Sequence, residues 1–309
     1  MRHYLTGLLT AALLAIATPT LAAETGLSSY LKGSAGFMSG ILPPTPGFYF
    51  TNTYYYFSGS SDAVVRGGVA ELGVGMTMNA DLLQGVEVTK ASFLGGTYAF
   101  GGVLAVASAA LSATVAAPAG NAFLHQGTSD LADSVLMPVI LGWHDGNLHW
   151  SVALNVYVPT GAYDKNQLSV GKNVWGFMPQ FALTWFDPAS GWDVSGTFVY
   201  VTTSNNGATN YQSGDLFHLD WAIGKHFGEG GAWELGIAGN VVQQIGSDSG
   251  MGAVLGPFKT QSLGIGPALA YSTAIGKTPL ILNAKWESDF DSHKTMGGDL
   301  VTVSATIVF

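Results

Sequence analysis

Hydrophobic and polar residues alternate with a period of two over long stretches of this chain. From Asn147 to Val158, Leu148, Trp150, Val152, Leu154, Val156 and Val158 share one face. The other face carries Asn147, His149, Ser151, Ala153, Asn155 and Tyr157. Successive side chains of a strand point to opposite sides, so this pattern predicts strands with one apolar and one polar face. Phe217, Leu219, Trp221 and Ile223 oppose His218, Asp220, Ala222 and Gly224 in the same way. Leu280, Leu282, Ala284, Trp286 and Phe290 flank Asn283, Lys285, Glu287 and Asp289. At the C-terminus Val301, Val303, Ala305, Ile307 and Phe309 alternate with Thr302, Ser304, Thr306 and Val308.

The pattern predicts twelve strands, at about 47–57, 84–94, 97–115, 135–145, 147–158, 176–187, 191–203, 214–227, 232–245, 258–275, 279–290 and 298–309. One segment, Gly101 to Ala117, also reads as a small-residue helix. As a strand it sets Val103, Leu111 and Val115 against Ser108, Ser112 and Thr114. Long links (58–83, 116–134, 159–175, 204–213, 246–257 and 291–297) alternate with short ones such as Gly95-Gly96, Asp145-Gly146 and Gly276-Lys277-Thr278. A soluble antiparallel sandwich has no reason for that regularity. A transmembrane barrel has short turns on its periplasmic side and longer loops outside. Aromatics bracket the short turns: Trp143 with Trp150, Trp185 with Trp192, Phe227 with Trp233. Such rings favour the membrane interface, where an apolar body and a polar edge are both satisfied. The expected fold is all-β: a transmembrane antiparallel up-and-down β-barrel of about twelve strands, spanning residues 47–309.

Composition agrees. Only 10% of the 309 residues are charged and 42 are glycine, against about 25% charged and about 7% glycine in ordinary domains. A soluble surface of this size needs more charge. The net charge of −9, with 11 Lys plus Arg and no basic cluster, argues against nucleic acid as a partner, since such binding rests on phosphate neutralisation. The lack of cysteine removes disulfides, thiolate nucleophiles and cysteine-type zinc sites.

The N-terminus has a positive start (Arg2), a short apolar run over Leu8–Ala17 and a small-residue end, Leu21-Ala22-Ala23. It reads as a secretory signal peptide, residues 1–22, because the run is shorter than a membrane span requires. An exported chain without a spanning helix crosses a membrane only as a closed barrel, whose backbone polar groups are all paired internally. Residues 24–46 do not alternate and contain Pro43-Pro44-Thr45-Pro46-Gly47. They are expected to form a flexible lead-in, folded into the lumen as a small plug or lying across the periplasmic mouth. The terminal Phe309 on an alternating strand resembles the assembly signal of Gram-negative outer-membrane proteins, which implies the assembly machinery as a partner.

Several further motifs point to one family. They are Pro43-Pro44-Thr45-Pro46-Gly47-Phe48-Tyr49, Asp130-Leu131, and Pro138-Val139-Ile140-Leu141-Gly142-Trp143. Val158-Pro159-Thr160-Gly161-Ala162-Tyr163-Asp164, Gly171-Lys172-Asn173-Val174-Trp175 and Thr209-Asn210-Tyr211-Gln212-Ser213-Gly214 follow in order. The chain resembles the exported bacterial proteins associated with the meta-pathway of phenol degradation, taken to be outer-membrane transporters of aromatic compounds. The resemblance implies the outer membrane as location and small aromatic or apolar solutes as cargo, and supplies no catalytic residues.

Alternation turns His149, Asn155, His218, Asp220, Asn283, Lys285, Glu287 and Asp289 into a barrel lumen. Ionisable groups at membrane depth belong where water or a partner meets them. They form either a solute path or a self-paired network bracing a narrow barrel. Phe123, His125, Tyr163 and Tyr211 fall in expected extracellular loops and suit an apolar access site. His149-Trp150-Ser151 sets an imidazole and a hydroxyl on one strand face, the spacing of a base-activated serine, but facing the lumen rather than lipid. Asp248 among serines, and Asp289 with Asp291, lack calcium-loop spacing and read as solvated acids. No cofactor and no metal site is expected. The chain therefore reads as a monomeric outer-membrane channel for passive uptake of small hydrophobic or aromatic compounds, bounded by lipid bilayer and lipopolysaccharide. A non-conducting structural or adhesion barrel is the alternative, and an outer-membrane lipid hydrolase a third.

Overall fold

The computed structural model describes residues 28–65, 71–117, 120–251 and 259–309. The expected signal peptide and the first residues of the expected lead-in lie outside them. Thirteen antiparallel strands form one sheet. The first four are β1 (Gly47–Val65), β2 (Glu71–Phe93), β3 (Gly96–Ala117) and β4 (Gly120–Leu131). They are followed by β5 (Ser134–Asp145), β6 (Leu148–Val158), β7 (Gly176–Asp187), β8 (Trp192–Thr203) and β9 (Leu216–Phe227). The last are β10 (Trp233–Gln244), β11 (Gln261–Ile275), β12 (Thr278–His293) and β13 (Gly297–Val308). Apart from β4 and β5, each strand pairs with its sequence neighbours, and β1 closes the sheet against β13, from Tyr49 opposite Val308 to Ser60 opposite Gly297.

Thirteen strands make twelve staves. The first half of β3 pairs with β5 and its second half with β4, so β4 and β5 follow one another along the same edge. The interruption falls at Ala132-Asp133. Asp133 is buried there and accepts the backbone N–H groups of Gly161 (2.7 Å) and Lys172 (2.6 Å). The result is a closed twelve-stranded antiparallel β-barrel. No helix among the described residues is long and apolar enough to cross a membrane.

Burial is inverted relative to a soluble protein. Asp193, Ser195 and Thr197 of β8 are buried, whereas Trp192, Val194 and Phe198 on the opposite face are exposed. On β10, Glu234 and Asn240 are buried while Trp233, Leu235 and Ile237 are exposed. An antiparallel sandwich buries its apolar face, so this inversion identifies an outer wall made for lipid. The exposed rings of Trp185, Trp192, Phe227 and Trp233 ring the short-turn end, and Trp143 stacks on Trp150 with centroids 6.2 Å apart. Gly146 (φ 56°) and Gly276 (φ 64°) take left-handed turn conformations that a side chain resists.

Two expected loops are in fact strand. β1 continues through Val65 and β2 begins at Glu71, so most of 58–83 is a tall hairpin. Likewise 120–131 forms β4. At about 3.4 Å per residue, the 23 residues of β2 extend roughly 75 Å, well beyond the membrane. The upper parts of these strands face no lipid, and their apolar residues, Met76, Ala80 and Leu111, are buried inside. The apolar-outward signature is therefore missing where the strands continue.

Candidate functional site

Residues 28–46 line the inside of the barrel and end at the periplasmic mouth, where Leu42 packs with Val88, Ala99, Met137 and Ile140. A Cβ on Gly40 would stand 2.5 Å from the backbone of Leu183 and Thr184, so glycine lets this segment lie directly on β7. The N–H of Gly40 donates to Thr184 Oγ1 (2.9 Å), that of Met38 to Ser195 Oγ (3.0 Å), and Thr197 Oγ1 donates to Ser39 Oγ (2.8 Å). Phe37 packs on Ala222, Ala238 and Ala268, where three small residues leave room for a ring.

Farther up, Asp220 receives the segment's backbone. Its Oδ1 accepts the N–H of Gly33 (2.9 Å), and its Oδ2 accepts the N–H of Ala35 (2.9 Å) and the hydroxyl of Tyr30 (2.8 Å). Lys32 pairs with Asp289 and donates to Ser262 Oγ (3.1 Å). Lys285 reaches the carbonyl of Ala35 and pairs with Glu287 Oε1 at 2.9 Å, while Asn240 donates to Glu287 Oε2 at 2.6 Å. At the top, His218 Nε2 lies 2.9 Å from Ser28 Oγ and its ring meets Tyr30 edge-on. The lumen segment is thus tied to polar inner-face residues of β7, β8, β9, β11 and β12.

The opposite half of the lumen is apolar. Tyr55 and Phe57 of β1, Met76, Met78, Ala80 and Leu82 of β2, and Ala105 and Ala107 of β3 point inward with Met137, Tyr157, Met178 and Met296. Between this wall and the lumen segment lies a cavity of about 390 Å³, within the size range of small-molecule sites. Five of the eight methionines of the chain line it. Methionine is flexible and polarisable and packs well against aromatic rings. Gln84, Asn155, Asp133 and Lys172 add a few polar groups. Lys172 stands on the loop between β6 and β7, outside the membrane. Burial pushes its ammonium down to about 8, against the opposing pull of the Asp133 carboxylate.

All eight residues expected in the lumen face inward, yet they do different things. His218, Asp220, Lys285, Glu287 and Asp289 hold the lumen segment or brace its anchors. Asn155 lines the cavity and donates to Gln180 Oε1 (3.2 Å). Asn283 pairs loosely with Ser304 (3.4 Å). His149 sits at the periplasmic mouth, its Nδ1 2.8 Å from that of His144 rather than engaged with Ser151. Asp248 and Asp291 are not bare acids: Asp248 accepts from Tyr211 (2.6 Å) and Gly214 (2.8 Å), and Asp291 from Gln261 (3.0 Å).

The expected access residues separate. Phe123 and His125 lie on β4 and not in a loop. They pair with Thr114 and Ser112. Ser112 is exposed between buried Leu111 and Ala113, so His125 and Phe123 belong to the outer face and do not line the mouth. Tyr163 and Tyr211 do lie in the long loops, but each ties loops together: Asn206 Nδ2 donates to the Tyr163 oxygen (2.9 Å), and Tyr211 donates to Asp248.

Sequence reasoning missed the cavity wall and the anchors Tyr30 and Lys32. The methionines carry no periodic signal of their own. Lys32 was legible only as a lone cation facing an excess of lumen acids.

Fold, inverted burial and interfacial aromatics define a Gram-negative outer-membrane β-barrel. A family model described as "Putative MetA-pathway of phenol degradation" matches residues 45–305, and the chain belongs to that family. Among solved structures it is similar to the COG4313 outer membrane channel from Pseudomonas putida F1, with TM-score 0.66 and 16% identity over 88% of this chain and 98% of that one. It is also similar to the beta domain of the Bordetella autotransporter BrkA, with TM-score 0.50 and 12% identity over 86% of this chain and 100% of that one. No curated protein matches it.

Proposed function

We propose that the protein is an outer-membrane channel for passive passage of small apolar or aromatic molecules. The observation that carries this reading is the methionine-rich cavity beside the lumen segment. A lumen meant only for water-soluble solutes would be lined by polar groups on all sides. Here the polar half is consumed by the lumen segment, and the half left open is apolar with an aromatic and thioether lining. The solute meets surface it prefers to water, which draws it in, and the cavity has room for a ring-sized molecule. The loops carrying Tyr163 and Tyr211 form the extracellular side of the path. No catalytic step is part of this reading.

Lipopolysaccharide, not phospholipid, is what holds back apolar solutes at the outer membrane, so the test uses intact cells. Escherichia coli with full-length lipopolysaccharide and expressing the protein should take up a radiolabelled alkylbenzene faster than cells without it. A sulfonated analogue of similar size should show no such gain. Equal alkylbenzene uptake with and without the protein contradicts the reading. It would favour a non-conducting structural barrel, for which the many bonds fixing the lumen segment are the supporting observation.

A further inference from the structure

At the periplasmic end of the lumen, one position in from the interfacial aromatics Trp192, Phe227 and Trp233, stand Asp193, His226 and Glu234. They come from three consecutive strands, β8, β9 and β10. Glu234 is directly opposite His226 in the ladder, and Asp193 is opposite Gly224, two residues before His226. One ligand atom from each lies within 4.8 Å of the others. His226 Nε2 and Glu234 Oε2 are already 3.3 Å apart.

Asp193 and Glu234 are 0% and 4% exposed, and Asp193 Oδ2, Glu234 Oε1 and His226 Nε2 are buried without hydrogen-bond partners. Two carboxylates turned toward each other out of water repel, and each orphaned oxygen is costly. The lumen lysines are engaged elsewhere, Lys32 with Asp289 and Lys285 with Glu287. The free oxygens converge over Gly224: a Cβ there would lie 2.1 Å from Glu234 Oε1 and 2.4 Å from Asp193 Oδ2. Glycine keeps that space clear.

The surroundings orient the donors. His226 Nδ1 lies 3.2 Å from the carbonyl of Gly231, which accepts only from a protonated nitrogen, so Nε2 is the ring nitrogen that faces the carboxylates and can bind a metal once it is unprotonated. Asp193 Oδ1 is fixed by the Ser195 hydroxyl at 3.1 Å, and Phe186 packs on the imidazole with centroids 5.1 Å apart. Supports of this kind hold the ligands of metal centres.

We infer that Asp193, His226 and Glu234 form a binding site for a divalent transition-metal cation, zinc above all. One imidazole nitrogen and two carboxylate oxygens suit zinc, with water completing four ligands. The hard cations calcium and magnesium prefer oxygen and need more or better-ordered donors. Bonds of about 2.1 Å require donor atoms roughly 3.4 Å apart. The His226–Glu234 pair has that spacing, and a ligand oxygen of Asp193 lies within 4.8 Å of both. A bound cation neutralises the two carboxylates and ties three strands together beneath Phe37, at the foot of the lumen segment.

The test uses the mature protein in detergent, free of any histidine tag and stripped with a chelator. After exposure to micromolar Zn²⁺ and desalting, elemental analysis should find one zinc per chain. His226→Ala and the double variant D193N/E234Q should lose it or bind at least about tenfold more weakly against a chromophoric chelator. Zn²⁺ should also raise the unfolding temperature of the unaltered protein and not that of either variant. Heat-dependent mobility on gels confirms that each variant is folded. Failure to retain zinc overturns the inference. So does zinc retained equally by those variants, or zinc lost only in His144→Ala or His149→Ala, which would place it at the other imidazole pair.

Discussion

The Tyr30 hydroxyl donates a 2.8 Å hydrogen bond to Oδ2 of Asp220, joining residues 190 positions apart in sequence. With the N–H groups of Gly33 and Ala35 on the same carboxylate, this contact makes Asp220 the central clasp of the lumen segment. A hydrogen bond to a charged acceptor contributes about 1.5–3 kcal/mol. Asp220→Ala removes three of them and is expected to free the segment without opening the barrel. Single-channel conductance in planar bilayers should rise several-fold. Unchanged conductance would show that Asp220 does not control the lumen.

The lower half of the segment depends on close approach at Gly40. Gly40→Val places side-chain atoms against the backbone of Leu183 and Thr184 and should lift residues 38–42 off β7. The periplasmic mouth then widens. Protease added to the periplasmic face should cut within 38–46 in the variant and not in the unaltered protein; equal resistance would contradict the docking.

Lys32 and Asp289 form a buried pair inside the barrel. Removing one partner of such a pair costs about 3–5 kcal/mol, because the other stays buried and charged. The loss here should fall at the low end, since Asp289 keeps Ser262 and the N–H of Gly298. Lys32→Met is expected to lower the unfolding temperature in detergent, and adding Asp289→Asn should restore most of the loss. Additive losses in the double variant would exclude direct coupling.

Lys172 gives the cavity wall a charge that depends on pH. Its ammonium loses its proton near pH 8 instead of near the ordinary 10.5. Below that pH the wall carries a positive charge, and above it the charge is gone. The reversal potential under a salt gradient should shift toward cation preference as pH rises from 7 to 9. Lys172→Gln should abolish most of the shift, and a shift of the same size in the variant would assign it elsewhere.

The staves β6 to β13 were legible in the sequence because each has a lipid-facing side and a polar inner side. Trp150 against Ser151 and Val194 against Ser195 show the contrast residue by residue. β1 to β4 were only half legible. Tyr54 and Tyr55 alternate between lipid and cavity, yet both are aromatic, and Met76 and Met78 put apolar side chains inside. Above the membrane the outer face changes to Ser108 and Ser112, which erases the signal that marks a strand. The lumen acids were found, but their role was not: no local pattern says that Asp220 meets Tyr30. Asp193, His226 and Glu234 escaped notice because they converge only once three strands pair in register.

In the proposed function, solute passes through the apolar cavity. Ala80→Trp and Ala107→Trp each place an indole in that space, from inward positions on β2 and β3 that are almost fully buried. Alkylbenzene uptake by intact cells should be measured for both, with outer-membrane levels and heat-dependent mobility matched to the unaltered protein. Uptake should fall close to the level of cells lacking the protein. Uptake by folded Trp variants as fast as that of the unaltered barrel would contradict it.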